Sequence, residues 1–173
     1  MTATDASDGR IRILIVDDEL DILFGLNVLL ESRGHYVKTF DKPGQALEHL
    51  ASEYGQYDLI ITDDKMPGGI SGLDLAKRVK EHTRRARTKR EAGGEVERAA
   101  AAAARRRRVS RGKKGNTKVF LMTAFDITCL SQLNVLELNE AAMSQIVDEI
   151  ILKPIRGDKL IALIEKNFSS KNN

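Results

Sequence analysis

Five short apolar runs, each followed by a stretch with helical spacing of apolar residues, constrain the fold of this chain more than any other feature. The runs occupy residues 11–16, 36–40, 59–62, 119–122 and 149–152. Short runs rich in β-branched residues are typical of strands that are buried on both faces. Because strands alternate with helices, we expect a parallel sheet covered by helices on both sides through right-handed crossovers. The sequence therefore predicts a doubly wound α/β fold with five strands.

The stretches that follow these runs predict five helices. In the first of them, Ile22, Leu26 and Leu30 recur at helical spacing, and Gly34 follows as a stop signal. Ser71 is a suitable N-cap for the third helix. The helical patterns fall within residues 22–30, 46–50, 73–79, 126–146 and 160–168.

Charged and hydroxyl side chains follow four of the five predicted strands. These strand-end residues are Asp17-Asp18-Glu19, Thr62-Asp63-Asp64, Thr123-Ala124 and Lys153-Pro154. In doubly wound folds the ligand site lies at the carboxyl ends of the strands. Carboxylates crowded at one edge repel one another and need a cation, and oxygen ligands of this kind suit Mg²⁺. A metal beside a carboxylate, with a lysine and a hydroxyl opposite, indicates a site that handles phosphoryl groups.

Taken together and in this order, the strand-end motifs resemble the receiver domain of two-component response regulators. The matching residues are Asp17-Asp18-Glu19, Asp63 with Met66-Pro67 and Gly72, Thr123-Ala124, and Lys153-Pro154. The resemblance covers residues 11–168 apart from a basic segment described below. It implies a flavodoxin-like sheet with strand order 2-1-3-4-5. It also implies a phospho-accepting signalling switch, and not an enzyme.

The resemblance implies a role for each matching residue. Asp63 aligns with the phospho-accepting aspartate, Thr123 with the hydroxyl that reaches the phosphoryl group, and Lys153 with the lysine that pairs with it. The implied Mg²⁺ ligands are Asp17, Asp18, Asp63 and the backbone carbonyl of Lys65. The bond between Lys153 and Pro154 is expected to be cis. The implied phosphodonor is a sensor histidine kinase, and an unidentified downstream protein would dock on the switched surface.

Three features of the sequence depart from the family pattern. Ile150 stands where an aromatic residue is usual, which changes the expected output coupling. The stretch from Thr123 to Lys153 is longer than usual. Lys65 and Phe125 lie at the mouth of the site, where they are expected to influence the loss of the phosphoryl group. Asp64 is expected to be only an exposed neighbour of the acceptor.

The basic segment, residues 83–116, is inserted between the third helix and the fourth strand. It contains thirteen Lys and Arg against three Glu, so its net charge is +10 in a chain of net charge +3. With two apolar residues besides alanine it cannot form its own core, and we expect a mobile arm with a transient helix. Three interpretations remain open: electrostatic binding of nucleic acid, contact with an acidic partner or with the acidic remainder of the same domain, or a tolerated low-complexity loop.

Two other functions compete with phosphorylation. The chain could be a phosphorylation-independent interaction module whose basic arm binds nucleic acid or an acidic partner. A phosphatase with paired aspartates is weaker, because Asp17 and Asp18 are adjacent and Glu19 stands where a second aspartate is needed.

Composition bounds the class of protein. Its one cysteine, Cys129, excludes an intramolecular disulfide, and no apolar run is long enough to span a membrane. The polar N-terminus has no apolar signal region, so we expect a cytoplasmic protein.

We expect residues 1–10 to be a disordered tail, 11–168 the receiver domain and 169–173 a second tail. Because only about twenty residues follow Lys153, we expect no output domain.

Overall fold

A computed structural model describes residues 10–53, 56–92, 117–124 and 143–168. Within them the five strands are β1 (Arg12–Val16), β2 (Tyr36–Phe40), β3 (Leu59–Asp63), β4 (Lys118–Thr123) and β5 (Glu149–Leu152). The helices are α1 (Leu20–Ser32), α2 (Pro43–Glu53), α3 (Gly72–Ala92) and α4 (Gly157–Phe168). The strands coincide with the five predicted apolar runs to within one residue at each end.

The strands form one parallel sheet in the order β2-β1-β3-β4-β5, which confirms the predicted fold. β3 occupies the centre, and all five of its residues are buried. This burial on both faces explains why the third run is almost entirely apolar.

The core consists of two layers, one on each face of the sheet. In β1, Ile13 and Ile15 point into one layer, and Leu14 and Val16 point into the other, as the alternation of side chains along a strand requires. The first layer is completed by α1 and α4, and the second by α2 and α3. Leu30 of α1 is fully buried, so its replacement by alanine should cost about 2–5 kcal/mol of stability.

The predicted N-cap of α3 is confirmed. The Ser71 hydroxyl accepts a hydrogen bond from the Asp74 N–H at 3.1 Å, and the Asp74 carboxylate accepts one from the Ser71 N–H at 3.2 Å. This reciprocal pair is a capping box, which satisfies two otherwise unpaired N–H groups at the start of the helix.

The basic segment begins differently from the prediction. α3 continues to Ala92, so residues 83–92 extend the third helix instead of starting a mobile arm. Local hydrogen bonds support this extension: the Thr83 hydroxyl donates to the Val79 carbonyl, and Glu81 pairs with Arg85 one turn later. Residues 93–116 lie outside the described residues, as do residues 1–9 of the predicted tail 1–10, the predicted tail 169–173 and most of the predicted helix 126–146.

Across the described ranges, no helix is long and apolar enough to cross a membrane.

Candidate functional site

Three aspartates meet at the carboxyl ends of β1 and β3. Val16 pairs with Thr62 in the sheet, so Asp17 and Asp63, the next residues along each strand, lie side by side. Carboxylate oxygens of Asp17, Asp18 and Asp63 lie within 4.8 Å of one another. Asp17 and Asp63 are buried, whereas Asp18 is exposed. The structure therefore brings together the three acids that the sequence placed at one edge.

Lys153, the residue directly after β5, reaches into this acidic cluster. Its Nζ lies 2.8 Å from Asp63 Oδ1, 3.1 Å from Asp17 Oδ2 and 2.9 Å from Glu19 Oε1. Burial alone would lower the pKa of the Lys153 ammonium, but the three surrounding carboxylates outweigh it and raise that pKa well above its usual value. Lys153 is therefore a fixed positive charge. The expected cis bond between Lys153 and Pro154 is confirmed.

Asp17 is the most buried acid of the cluster. Burial raises its pKa, while a hydrogen bond from the Glu19 N–H to Oδ1 at 2.9 Å and the Lys153 ammonium act in the opposite direction. Its Oδ2 contacts Lys153 at 3.1 Å but makes no hydrogen bond of normal geometry within the described residues. Burial of a carboxylate oxygen without a normal hydrogen bond costs free energy, and a bound cation would offset that cost.

The donor set fits Mg²⁺. Carboxylate oxygens are the ligands that this ion prefers, and the acids outnumber the one ammonium beside them. The backbone of Lys65 lies beside these carboxylates, because the Lys65 N–H donates a hydrogen bond to Asp63 Oδ2 at 3.1 Å. Asp17, Asp18 and Asp63 are thus the residues that could hold a divalent cation.

The loop between β3 and α3 fixes the backbone of Asp63. The Gly72 N–H donates to the Asp64 carbonyl at 3.1 Å, which holds the start of α3 against the end of β3. A Cβ atom at Gly72 would lie 1.9 Å from the Asp63 carbonyl oxygen, so only glycine permits this approach. Met66 is buried in the loop and packs in the core layer of α2 and α3.

Thr123 lies at the end of β4 with a buried side chain. Its backbone carbonyl accepts a hydrogen bond from the Lys153 N–H at 2.8 Å, which ties the ends of β4 and β5 together. The structure thus places Thr123 beside Lys153, as the order of the strands requires. Ile150 lies in β5, where it is half-buried and packs against the layer of α2 and α3. Phe125 lies outside the described residues.

The expectation that Asp64 is an exposed neighbour is wrong. Asp64 is half-buried. Burial, together with the Asp63 charge, raises the pKa of its carboxyl, and a hydrogen bond with the Thr123 side chain acts in the opposite direction. Asp64 is not fully exposed because pairing with β4 continues past Asp63: the Asp64 N–H donates a hydrogen bond to the Met122 carbonyl at 2.8 Å. The signal that could have found it is its position directly after a central strand.

An apolar stripe on α1 lies next to the acidic cluster. Leu20, Phe24 and Val28 follow one another at one-turn spacing and are 67%, 73% and 51% exposed. Beside the stripe, a groove of about 560 Å³ runs between α1 and the chain after β5, and Glu19 and Lys153 lie at its edge. Exposed apolar side chains in a row commonly mark a surface that another protein covers.

Comparison with known proteins agrees with this geometry. Residues 13–92 match the family model of the response regulator receiver domain. Response regulator RppA of Synechocystis sp. is 33% identical over 69 residues, which are 40% of this chain and 29% of RppA. The putative two-component response regulator ARR21 of Arabidopsis thaliana is 36% identical over 70 residues, 40% of this chain and 11% of that protein. The chain therefore spans less than a third of these relatives.

Solved structures share the whole fold. Response regulator protein TrrA of Thermotoga maritima, in complex with Mg²⁺ and BeF, is 26% identical with a TM-score of 0.58, over 90% of this chain and 97% of that chain. A response regulator receiver domain protein from Clostridium thermocellum is 23% identical with a TM-score of 0.62, over 93% of this chain and 96% of that chain.

Proposed function

Since this chain carries a response regulator receiver domain, we propose that it is a phospho-accepting switch of a two-component phosphorelay, with Asp63 as the acceptor. The observation that carries the proposal is the environment of Asp63. Its carboxylate lies 2.8 Å from the Lys153 ammonium and within 4.8 Å of the Asp17 and Asp18 oxygens. A nucleophile, a fixed cation and ligands for a metal thus converge at one buried carboxylate.

The reaction is a transfer between two covalent bonds. An Asp63 carboxylate oxygen attacks the phosphorus of a phosphohistidine on a sensor kinase, and a P–O bond forms as the P–N bond breaks. The electron pair of the P–N bond stays on the imidazole nitrogen, which takes up a proton, and Asp63 becomes an acyl phosphate. Asp17, Asp18, Asp63 and the Lys65 carbonyl would hold Mg²⁺, which offsets negative charge on the transferring group when bound.

Lys153 and Thr123 convert the new group into a change of shape. The phosphoryl group adds about two negative charges and three acceptor oxygens beside Lys153. The Lys153 ammonium, which now contacts three carboxylates, gains a stronger partner. Because Thr123 and Lys153 end adjacent strands that are joined by a backbone hydrogen bond, their movement displaces the ends of β4 and β5 together. The surface around β4, β5 and α4 is therefore the switched surface on which a downstream protein docks.

The apolar stripe on α1 is suited to docking of the phosphodonor. It begins at Leu20, one residue after Glu19, whose carboxylate contacts Lys153 in the acidic cluster. A protein that covers Leu20, Phe24 and Val28 is positioned beside Asp63. A histidine kinase that docks there could present its phosphohistidine to the acceptor.

Intact mass after incubation with a small acyl phosphate and Mg²⁺ tests this function. The wild-type chain should gain one phosphoryl group, and the D63N variant should gain none. Asp41 follows β2 at the same edge of the sheet, so D41N is the matched control and should gain one group. No gain by the wild type, or an equal gain by D63N, would contradict the proposal.

The helical part of the basic segment supports a second candidate function, electrostatic contact with nucleic acid. Among the α3 side chains that the structure describes, Val79 is the last buried one, yet the helix continues to Ala92. Residues 83–92 contain five Lys or Arg against one Glu, so this part of the helix is strongly basic and has no large apolar residue. Basic side chains bind phosphates with a steep dependence on salt. Without aromatic residues in the basic segment, no sequence preference is expected.

A salt series with duplex DNA tests this second function. One variant replaces with glutamine the five basic residues Arg84, Arg85, Arg87, Lys89 and Arg90. A control of equal charge change replaces Arg33, Lys38, Lys42, Lys159 and Lys166, which lie outside α3. The first variant should bind more weakly and with a shallower salt slope than the control. Equal weakening in both variants, or stronger binding to an acidic polypeptide than to DNA, would contradict it.

A further inference from the structure

Asp64 and Thr123 face each other where the pairing of β3 and β4 ends. Asp63 is the register partner of Met122, so Asp64 and Thr123 are the next pair along these parallel strands. The hydrogen bond of 2.8 Å from the Asp64 N–H to the Met122 carbonyl holds the two backbones together at this point. A hydrogen bond with the Thr123 side chain acts to lower the pKa of the Asp64 carboxyl, and Thr123 is 1% exposed.

This contact conflicts with the role proposed for Thr123. A threonine hydroxyl has one proton and can donate one hydrogen bond, and an ionised carboxylate can only accept. While the hydroxyl donates to Asp64, it cannot donate to a phosphoryl group on Asp63. The Asp64 carboxylate also brings a negative charge to the residue beside the acceptor, where a phosphoryl group adds further negative charge.

We propose that Asp64 is a positioning residue that holds the Thr123 hydroxyl in the unphosphorylated arrangement. Occupation of Asp63 then requires the hydroxyl to pass from Asp64 to the phosphoryl oxygen. Asp64 therefore opposes the switch and lowers the occupancy of the phosphorylated state at a given supply of phosphodonor. This inference rests on the proposed function and adds to it a residue that sets how readily the switch turns on.

The affinity for beryllofluoride in the presence of Mg²⁺ measures how strongly Asp64 opposes occupation of Asp63. Beryllofluoride stands in for a phosphoryl group, and its binding can be followed by ¹⁹F NMR. Loss of a hydrogen bond to a charged group corresponds to a change on the order of tenfold, so D64A should bind beryllofluoride about tenfold more tightly than the wild type. D64N removes the charge but keeps an oxygen that can accept the hydroxyl proton. It should show a smaller gain, because a neutral acceptor makes a weaker hydrogen bond.

A double-mutant cycle separates positioning from simple charge. T123V removes the hydroxyl and keeps the shape of the side chain. On the T123V background, D64A should produce much less than its tenfold gain, because there is no hydroxyl to release. An unchanged gain on that background would show that Asp64 acts only through its charge, and would overturn the inference. No gain from D64A on the wild-type background would overturn it as well.

Two controls keep this test decisive. If D64A fails to fold, as judged by its thermal midpoint, the isosteric D64N replaces it in the cycle with the same requirement that its gain shrink with T123V. Failure of the proposed function gives a different result: the wild type would bind no beryllofluoride, or D63N would bind it equally well, and both proposals would fall. Binding by the wild type with no effect of Asp64 removes the positioning role alone.

Discussion

Replacement of Gly72 by alanine should disturb both stability and the acceptor. The added Cβ would lie 1.9 Å from the Asp63 carbonyl oxygen and 2.8 Å from its carbonyl carbon, whereas real Cβ contacts almost never fall under 3.0 Å. The start of α3 or the end of β3 must therefore move by about 1 Å, and neither is the flexible end of a side chain. Overpacking of this kind costs about 1–3 kcal/mol, and we expect about 3 kcal/mol because backbone must shift.

The same displacement should slow phosphoryl transfer. A shift of about 1 Å in a reacting group can cost on the order of a hundredfold in rate. Urea denaturation would measure the stability loss, and the time course of mass gain with a small acyl phosphate would measure the rate. G25A is the control, since a Cβ at Gly25 of α1 meets nothing within 4 Å. It should stabilise the helix by about 0.5–1 kcal/mol and leave the rate unchanged. Wild-type stability and rate in G72A would refute the reasoning about the Asp63 backbone.

Three further predictions concern other parts of the molecule. In urea denaturation without Mg²⁺, K153Q should lower the free energy of unfolding by about 3 kcal/mol, because it leaves the buried carboxylates of Asp17 and Asp63 without a positive partner. Added Mg²⁺ should restore part of this loss. Equal stability of K153Q and wild type would contradict the prediction. F24A should slow phosphoryl transfer from a kinase but not from a small acyl phosphate; an equal effect on both donors would argue against docking on α1. The third prediction concerns His35, whose Nδ1 accepts a hydrogen bond from the Ile11 N–H. Burial, aided by the Arg33 charge, lowers the pKa of His35. At acidic pH the folded state therefore binds fewer protons than the unfolded state. Stability should therefore fall as pH drops below about 6.5, and thermal melts of H35Q should lack this component.

The sequence was sufficient to predict the sheet because each strand carries its own signal. β1 and β3 are nearly continuous apolar runs, and such runs are explained by burial on both faces at the centre of a sheet. The placement of Asp17 and Asp63 side by side then follows from parallel pairing, since residues that end adjacent strands share one edge. Each of these inferences needs only local pattern and the rule that the carboxyl ends of parallel strands meet.

The length of α3 could not be predicted in this way. Its apolar face ends at Val79, and the following residues are mostly charged, which is equally typical of a loop. The helix continues because Arg, Lys and Ala have high helix propensity and because pairs such as Glu81 with Arg85 form one turn apart. The spacing of apolar residues predicts the part of a helix that packs against the core. It does not predict how far the helix continues into solvent.

Asp64 was mispredicted because its surroundings are contributed by a strand far along the chain. Its neighbour Asp63 could be identified from the strand-end motifs, but the burial of Asp64 depends on the backbone of Met122 and the side chain of Thr123. The same contact shows how two adjacent aspartates can have different proposed roles. The Asp63 carboxylate contacts the Lys153 ammonium, whereas Asp64 is paired with the hydroxyl that the proposed switch requires. We propose that one acid accepts the phosphoryl group while the other restrains the response to it, and the T123V cycle measures that restraint directly.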